Sequence, residues 1–351
     1  MEKLPETMVG VLLTGHGDFD QLEIRRDLPV PQPGSRDVLI RVSAAAVNNT
    51  DINTRIGWYS KQGGASEDAS WGGTPLPLPL IQGADVGGRI VAVGAEVSPE
   101  RIGERVLIEP CLWEVNGRTL AQPWYLGSEC DGGFAEYIVV ASRHAHSVKS
   151  RYSDIELASF PCSYSTAENL LTRAHVEAGD RVLVTGASGG VGSAAVQLAT
   201  ARGAEVTAIT RAAKAPQVLE LGATKTLPRG ACLLQELGKN SMDVVVDLVA
   251  GDQWPQFLEV LRPRGRYAVS GAIAGPIVQL DVRTLYLKDL SFFGCTVLEP
   301  DVFPNLVQCI ESARIRPLVA QVFPLEQIVD AQRAFLSKQH VGKIVLQVSE
   351  T

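Results

Sequence analysis

The stretch VLVTGASGGVGSAAVQLA, Val182 to Ala199, places Gly186, Gly189 and Gly192 three residues apart. Apolar and β-branched residues precede them and a small-residue helical pattern follows. A strand, a tight turn and a helix N-terminus in that order make an anion site. Backbone N–H groups point outward and the helix dipole adds partial positive charge. Glycine lets the turn bend and lets a pyrophosphate approach the backbone, and the third glycine lets the helix pack closely on its sheet. The spacing is a variant of the usual dinucleotide fingerprint. The plain alternative is an ordinary glycine turn. At the end of the next strand lies AITRAAK, with Thr210, Arg211 and Lys214 and no acidic residue. A site for NAD usually carries Asp or Glu there, on the ribose 2′-hydroxyl. Cations and a hydroxyl suit a 2′-phosphate, so NADP(H) is the expected cofactor. The alternative is that Arg211 and Lys214 are solvated charges at a helix start.

The elements that must position this turn alternate. Strands are expected at Arg181–Thr185, Glu205–Thr210, Asp243–Val249, Gly265–Gly271 and Leu290–Cys295, with helices between the first of them. DVVVDLV, from Asp243, is a continuous apolar run, as for a strand buried on both faces. The pattern indicates a doubly wound parallel sheet. Before it, from Asp154 to about Val176, the period is helical. The first 150 or so residues read instead as short strands and turns: DVLIRVSAAAV from Asp37, GGRIVAVG from Gly87, ERVLIEP from Glu104 and GGFAEYIVV from Gly132. The Gly-, Ser- and Pro-rich segment Ser60–Leu80 reads as an exposed loop, either a tolerated insertion or a lid. A helix and strand, Leu325 to Val348, end the chain.

The 351 residues exceed one comfortable core, so two domains are expected. Hydrophobic residues make up 45% and the net charge is −7, with no Lys/Arg-rich run, which argues against nucleic acid or an anionic membrane as partner. No apolar run reaches the ~18 residues of a membrane span. The N-terminal MEKLPETMVG has no apolar core of a signal peptide, and the six cysteines form no C-x-x-C pair. Reduced thiols and a cytoplasmic location are expected.

With AAVNNTDINTRIGWY (Ala45–Tyr59), GADVGGRIVAVG (Gly83–Gly94), GGFAEYIVV, PCSYSTAENLL (Pro161–Leu171), the glycine turn and HVGKIVLQV (His340–Val348), the chain resembles the medium-chain dehydrogenase/reductase superfamily along nearly its whole length. Within that superfamily it resembles the zinc-independent quinone oxidoreductase-like branch. The resemblance implies an α/β protein: a GroES-like β-rich catalytic domain from residues 1–152 and 297–351, with a Rossmann domain, a doubly wound parallel sheet, inserted at 153–296. It places Thr166 on the nicotinamide and Ser188, Gly189, Gly190 and Val191 in the phosphate turn. Val249 is placed near the adenosine, Gly271 and Ala272 near the nicotinamide, and Lys343 at the cofactor's phosphates or ribose.

Zinc alcohol dehydrogenases of this superfamily hold catalytic zinc with two Cys and one His. Those positions fall here on Asn48, Ala84 and Cys162. A methyl and a neutral amide do not replace imidazole and thiolate, so no metal is expected. The four-Cys structural lobe is also lost, with only Cys111 and Cys130 in its region. Without a Lewis acid to stabilise an alkoxide, the easier acceptors are quinones and α,β-unsaturated carbonyls, whose oxyanion needs only hydrogen-bond donors. By resemblance Asn48 lies near nicotinamide and substrate and Tyr59 lines the pocket. Asn48 is then the expected carbonyl donor, and Tyr59 or water the proton source. The plainer reading of Asn48 is a hydrogen bond to backbone; that of Tyr59 is an aromatic wall. Two other readings stay open: a zinc alcohol dehydrogenase with displaced ligands, and a non-catalytic NADPH-binding sensor or structural protein. By the same resemblance the last strand of the nucleotide domain, carrying Phe292 and Phe293, pairs across a two-fold axis, and exposed phenylalanine there would be a liability in a monomer, so a homodimer is expected.

Overall fold

The structure, a computed structural model, describes residues 4–60 and 75–349. Most of the Ser60–Leu80 loop therefore lies outside the described residues. The chain divides into two compact units, residues 1–162 with 317–351, and residues 163–316. The division falls later at both ends than the limits at 153 and 296 expected from resemblance.

The first unit is built on the strand Asp37–Val47, in which ten of eleven residues are buried. It pairs antiparallel with Asp85–Val93 on one side and with Lys343–Gln347 on the other, while Tyr137–Ala141 pairs with its beginning. The C-terminal strand thus completes a sheet begun near the N-terminus. Val319–Pro324 runs parallel to that last strand. A smaller sheet joins Leu22–Pro29, Thr7–Leu13 and Leu80–Ile81. Cys111–Val115 and Arg118–Tyr125 form a separate hairpin. All six cysteines are free thiols.

The second unit holds a six-stranded, all-parallel sheet. Its order is Lys225–Pro228, Glu205–Thr210, Arg181–Val184, Met242–Asp247, Leu261–Val269, Ser291–Gly294. The order reverses between Arg181–Val184 and Met242–Asp247, and ligands of such sheets bind at that switch point. The helical period expected over Asp154–Val176 is two helices, Asp154–Leu157 and Pro161–Arg173. Pro161 starts the second because its ring tolerates only the first turn of a helix. Among the described residues no helix is long and apolar enough to cross a membrane.

At the switch point the chain leaves Asp247 in a strained turn. Ala250 has φ 53° and ψ −137°, a conformation that a side chain opposes. The buried Asp247 holds it: its carboxylate accepts from the backbone N–H groups of Val249 and Ala250 and from the hydroxyls of Thr185 and Tyr267. Burial and the adjacent Asp247 charge push the Tyr267 phenol up, so it remains a donor. Ala250→Gly relieves the strain and is expected to raise unfolding free energy by about 1 kcal/mol, net of glycine's larger unfolded-state entropy. Denaturant unfolding measures it; an unchanged or lower midpoint contradicts the strain.

Candidate active site

In the first unit, three strand ends meet. Ala46 pairs with Asp85 and Val47 with Ile344, so Asn48, Asp85 and Lys343 come to one edge of the sheet although they lie far apart in sequence. Asn48 also begins the helix Asn49–Arg55, where its backbone N–H donates to Asp51 at 2.7 Å. Its side chain serves other partners. The amide nitrogen donates to Asp85 Oδ2 at 2.7 Å and to the Ala46 carbonyl at 3.2 Å; the amide oxygen accepts from Lys343 Nζ at 2.5 Å. Lys343 Nζ also lies 2.7 Å from Asp85 Oδ2, and both side chains are buried, 2% and 0% exposed. The other Asp85 oxygen accepts from the Cys162 N–H at 2.6 Å. Gly342, at φ 86°, lets the chain enter this corner, where a side chain would overlap Leu318.

Asn48 and Lys343, both singled out in the sequence, are thus hydrogen-bonded to one another. Lys343 was expected at the cofactor's phosphates or ribose; its ammonium is buried against Asp85 and Asn48. Tyr59 lies past the helix, partly exposed, edge-on to Trp58 with ring centroids 5.5 Å apart. Asp85 and Asp51 were not singled out. Both lie inside motifs already noticed; Asp51 is brought to Asn48 by the local Asn-x-x-Asp spacing at the helix start, whereas only the strand register brings Asp85 there.

These donors do not fit a zinc ion. Asn48 is committed to Lys343 and Asp85, and the Ala84 methyl is buried. Burial and the Asp85 charge push the Cys162 thiol up, away from the thiolate a metal requires. Among the described residues no cluster of three or more His, Cys, Asp or Glu side chains could hold a metal.

In the second unit, the turn after Arg181–Val184 fits a dinucleotide phosphate. Gly189 caps the helix Gly190–Ala201 and its N–H closes the turn on Gly186 O. A side chain at Gly192 would overlap the Gly186 carbonyl, so the helix can sit against the turn only with glycine there. At Gly189 a Cβ would meet only the Gly186 oxygen, at 3.4 Å, which leaves the backbone open to a ligand. Ser188 and Gly192 are buried, and Gly190 and Val191 are half-buried beside them. The structure brings Val249 against Gly186 and Gly271 against Leu248, and Ala274 N–H bonds to Val249 O beside Ala272. Thr166 is half-buried on Pro161–Arg173.

On the other side of the turn, Ala187 N–H bonds to Ile209 O and draws the end of Glu205–Thr210 alongside. The Thr210 hydroxyl is buried without a partner. Thr210 pairs with Pro228 in parallel register, so the next residues, Arg211 and Arg229, leave adjacent strands at the same end. Both are exposed, and neither forms an ion pair among the described residues. Burial, then the Arg211 and Arg229 charges, push the Lys214 ammonium down. Arg229 is the residue that sequence reasoning missed. It stands one residue past a short strand that has no strong β pattern, and only register places it beside Arg211.

A GroES-like unit with a Rossmann unit, phosphate turn included, defines a nicotinamide-dependent oxidoreductase. Residues 34–150 match the alcohol dehydrogenase GroES-like domain and residues 190–312 the zinc-binding dehydrogenase model. The chain is 27% identical to human quinone oxidoreductase over 94% of both chains. It is 29% identical to acryloyl-coenzyme A reductase of Metallosphaera sedula, over 97% of this chain and 99% of that one. A structure from Sinorhizobium meliloti 1021, provisionally described as an alcohol dehydrogenase, is 44% identical with a TM-score of 0.90, covering 99% of this chain and 98% of that one. The chain belongs to the medium-chain dehydrogenase/reductase superfamily, in its quinone oxidoreductase-like part.

Burial pushes the Asp51 carboxyl up to about 7, against the lowering effects of the Asn48 and Gly83 N–H groups and the Lys343 charge. The folded protein therefore keeps a proton that the unfolded chain loses near its ordinary value of 3.8. Stability then falls as pH rises from about 4 to about 7. Asp51→Asn mimics the neutral acid. Its stability relative to the parent is expected to increase across that window by on the order of 4 kcal/mol and then level off. Denaturant unfolding of both proteins at several pH values tests this; a pH-independent difference means that Asp51 titrates normally.

Proposed function

We propose that the protein is an NADPH-dependent, zinc-independent reductase of quinones or α,β-unsaturated carbonyl compounds. The observation that carries this reading is the Asn48–Asp85–Lys343 network, in which Asn48, at a position where zinc-dependent relatives carry a metal ligand, is instead hydrogen-bonded to a buried ion pair. Such groups suit an acceptor whose charge spreads onto an oxygen, not the oxidation of an unactivated alcohol.

In this reading the Gly186–Gly192 turn and the N-terminus of Gly190–Ala201 hold the pyrophosphate. Arg211, Lys214 and Arg229 hold the 2′-phosphate. Thr166, Val249, Gly271 and Ala272 line the cofactor. NADPH, when bound, supplies the hydride. Asn48 donates an amide N–H to the acceptor's carbonyl oxygen, exchanging its 3.2 Å bond to Ala46 O for that oxygen. Tyr59, or a water, gives the proton that completes the reduced product.

The test is cofactor titration by fluorescence, then loss of NADPH absorbance with p-benzoquinone, phenanthrenequinone, a simple enone and an acryloyl thioester, each with and without chelator. NADPH-selective, chelator-resistant turnover is expected. Chelator-sensitive turnover points to the zinc enzyme, and tight binding without turnover to the non-catalytic protein. Arg229→Gln is expected to weaken NADPH binding about tenfold, the value of one charge-assisted hydrogen bond, and to leave NADH binding unchanged. Equal losses for both cofactors would remove Arg229 from the 2′-phosphate site.

The reading includes a homodimer. Ser291–Gly294 is an edge strand of the parallel sheet; Phe292 within it is exposed, as are Tyr286 and Leu287 in the helix just before it. An apolar sheet edge of this kind is stable in solution when a second copy covers it. Light scattering is expected to give twice the chain mass, and Leu287→Glu to halve it; a parent protein with the mass of one chain refutes the dimer.

A further inference from the structure

Lys343 and Asp85 form a buried ion pair, and such a pair is a poor way to stabilise a fold. Removing two charges from water costs about as much as their attraction returns, and apolar residues of similar size commonly serve as well. The pair therefore calls for a reason beyond cohesion. Both charges converge on one side chain. Lys343 Nζ meets the Asn48 amide oxygen, and Asp85 Oδ2 meets its nitrogen. This sets the orientation of the amide: turned over, its N–H groups would face the ammonium and its oxygen the carboxylate. The ammonium also draws density from the carbonyl oxygen, and hydrogen bonds linked in this way strengthen one another. The second N–H is left on the longest bond of the set, 3.2 Å to Ala46 O.

We propose that the Asp85–Lys343 pair positions and polarises Asn48 for the reduction, so that an internal ammonium serves at the place where zinc-dependent relatives hold a metal. The inference rests on the reductase reading for its catalytic half. Lys343 and Asp85 are positioning residues; Asn48 is the group that meets the acceptor. The other titratable groups of the cluster are Asp51, on the far side of the Asn48 backbone, and the Cys162 thiol, whose own N–H holds Asp85. The amide geometry does not require either to change protonation.

The experiment compares Lys343→Met, Lys343→Arg and the double variant Asp85→Asn/Lys343→Met. The single Met variant strands a buried carboxylate and is expected to lose stability. The double variant removes both charges and is expected to recover the parent's melting temperature and its NADPH affinity. Its kcat with the best acceptor is expected to stay at least about tenfold down with KM little changed, since the lost interaction acts on the developing oxyanion. Lys343→Arg restores a cation and is expected to recover part of kcat. In the parent labelled with ¹⁵N-asparagine, the Asn48 side-chain amide is expected to give one well-shifted, exchange-protected pair of proton signals. In the double variant these should move toward ordinary amide positions.

Recovery of kcat along with stability in the double variant would make the pair a structural clasp and overturn the proposal. So would Asn48 side-chain signals that do not move. If the parent turns over no acceptor, the reductase reading falls. The positioning of Asn48 is then decided by those signals alone.

Discussion

A lysine ammonium and an aspartate carboxylate buried side by side demand close geometry, because neither retains water to compensate for a poor partner. Here that geometry comes from the sheet of the first unit. Its central strand, Asp37–Val47, is flanked by strands from opposite ends of the chain, and the two registers bring Asp85 and Lys343 to the same corner. Asn48 is the next residue of the central strand's path, so its amide falls between the two charges. Gly342 and Gly83, both at positive φ, let the connecting backbone pass through a crowded region where Leu318 and Phe134 leave no room for a side chain. The helix Asn49–Arg55 is anchored in turn: Arg55 is buried, bonded to Gln332 and Gly17 O.

The second unit has a similar organisation around Asp247. One carboxylate accepts from two hydroxyls and two backbone N–H groups and thereby sets the turn that faces the glycine loop. Val249 is placed against Gly186 by that turn, and Gly271 approaches the same backbone from the next strand. The surface offered to a nucleotide is therefore mostly main chain and small side chains. At the other end, Arg211 and Arg229 leave neighbouring strands together.

The matched relatives include a quinone oxidoreductase, an acryloyl-coenzyme A reductase and an NAD-dependent alcohol dehydrogenase. A shared scaffold with such varied chemistry means that the choice is made by a few side chains in the site, not by the fold. At the positions where zinc-dependent relatives carry their ligands, this chain has Asn48, Ala84 and Cys162, with the Asp85–Lys343 pair against Asn48. An amide fixed by two charges and a thiol held protonated by burial make a hydrogen-bonding surface, where three Lewis bases would make a metal centre.

Much of this was legible in the linear order of residues. The glycine turn declares itself because its requirements are local: three residues without Cβ between an apolar run and a helix. The parallel sheet follows from buried β-branched runs alternating with helices, and the missing acid after Glu205–Thr210 is a matter of which residue stands at one position. Arg229, Asp85 and the partners of Lys343 were not legible, since each depends on which strands lie side by side and in what register. A lysine starting a last strand reads as solvated or as a cofactor contact; whether its ammonium meets water or a carboxylate is decided by residues some 260 positions away. The sequence by itself determined the class of fold and the glycine turn, because these rest on residue type and short-range spacing; that Asn48 and Ala84 stand at metal-ligand positions came from the resemblance. Only the tertiary structure decided where the charges went, because burial and register are properties of strands that meet in space.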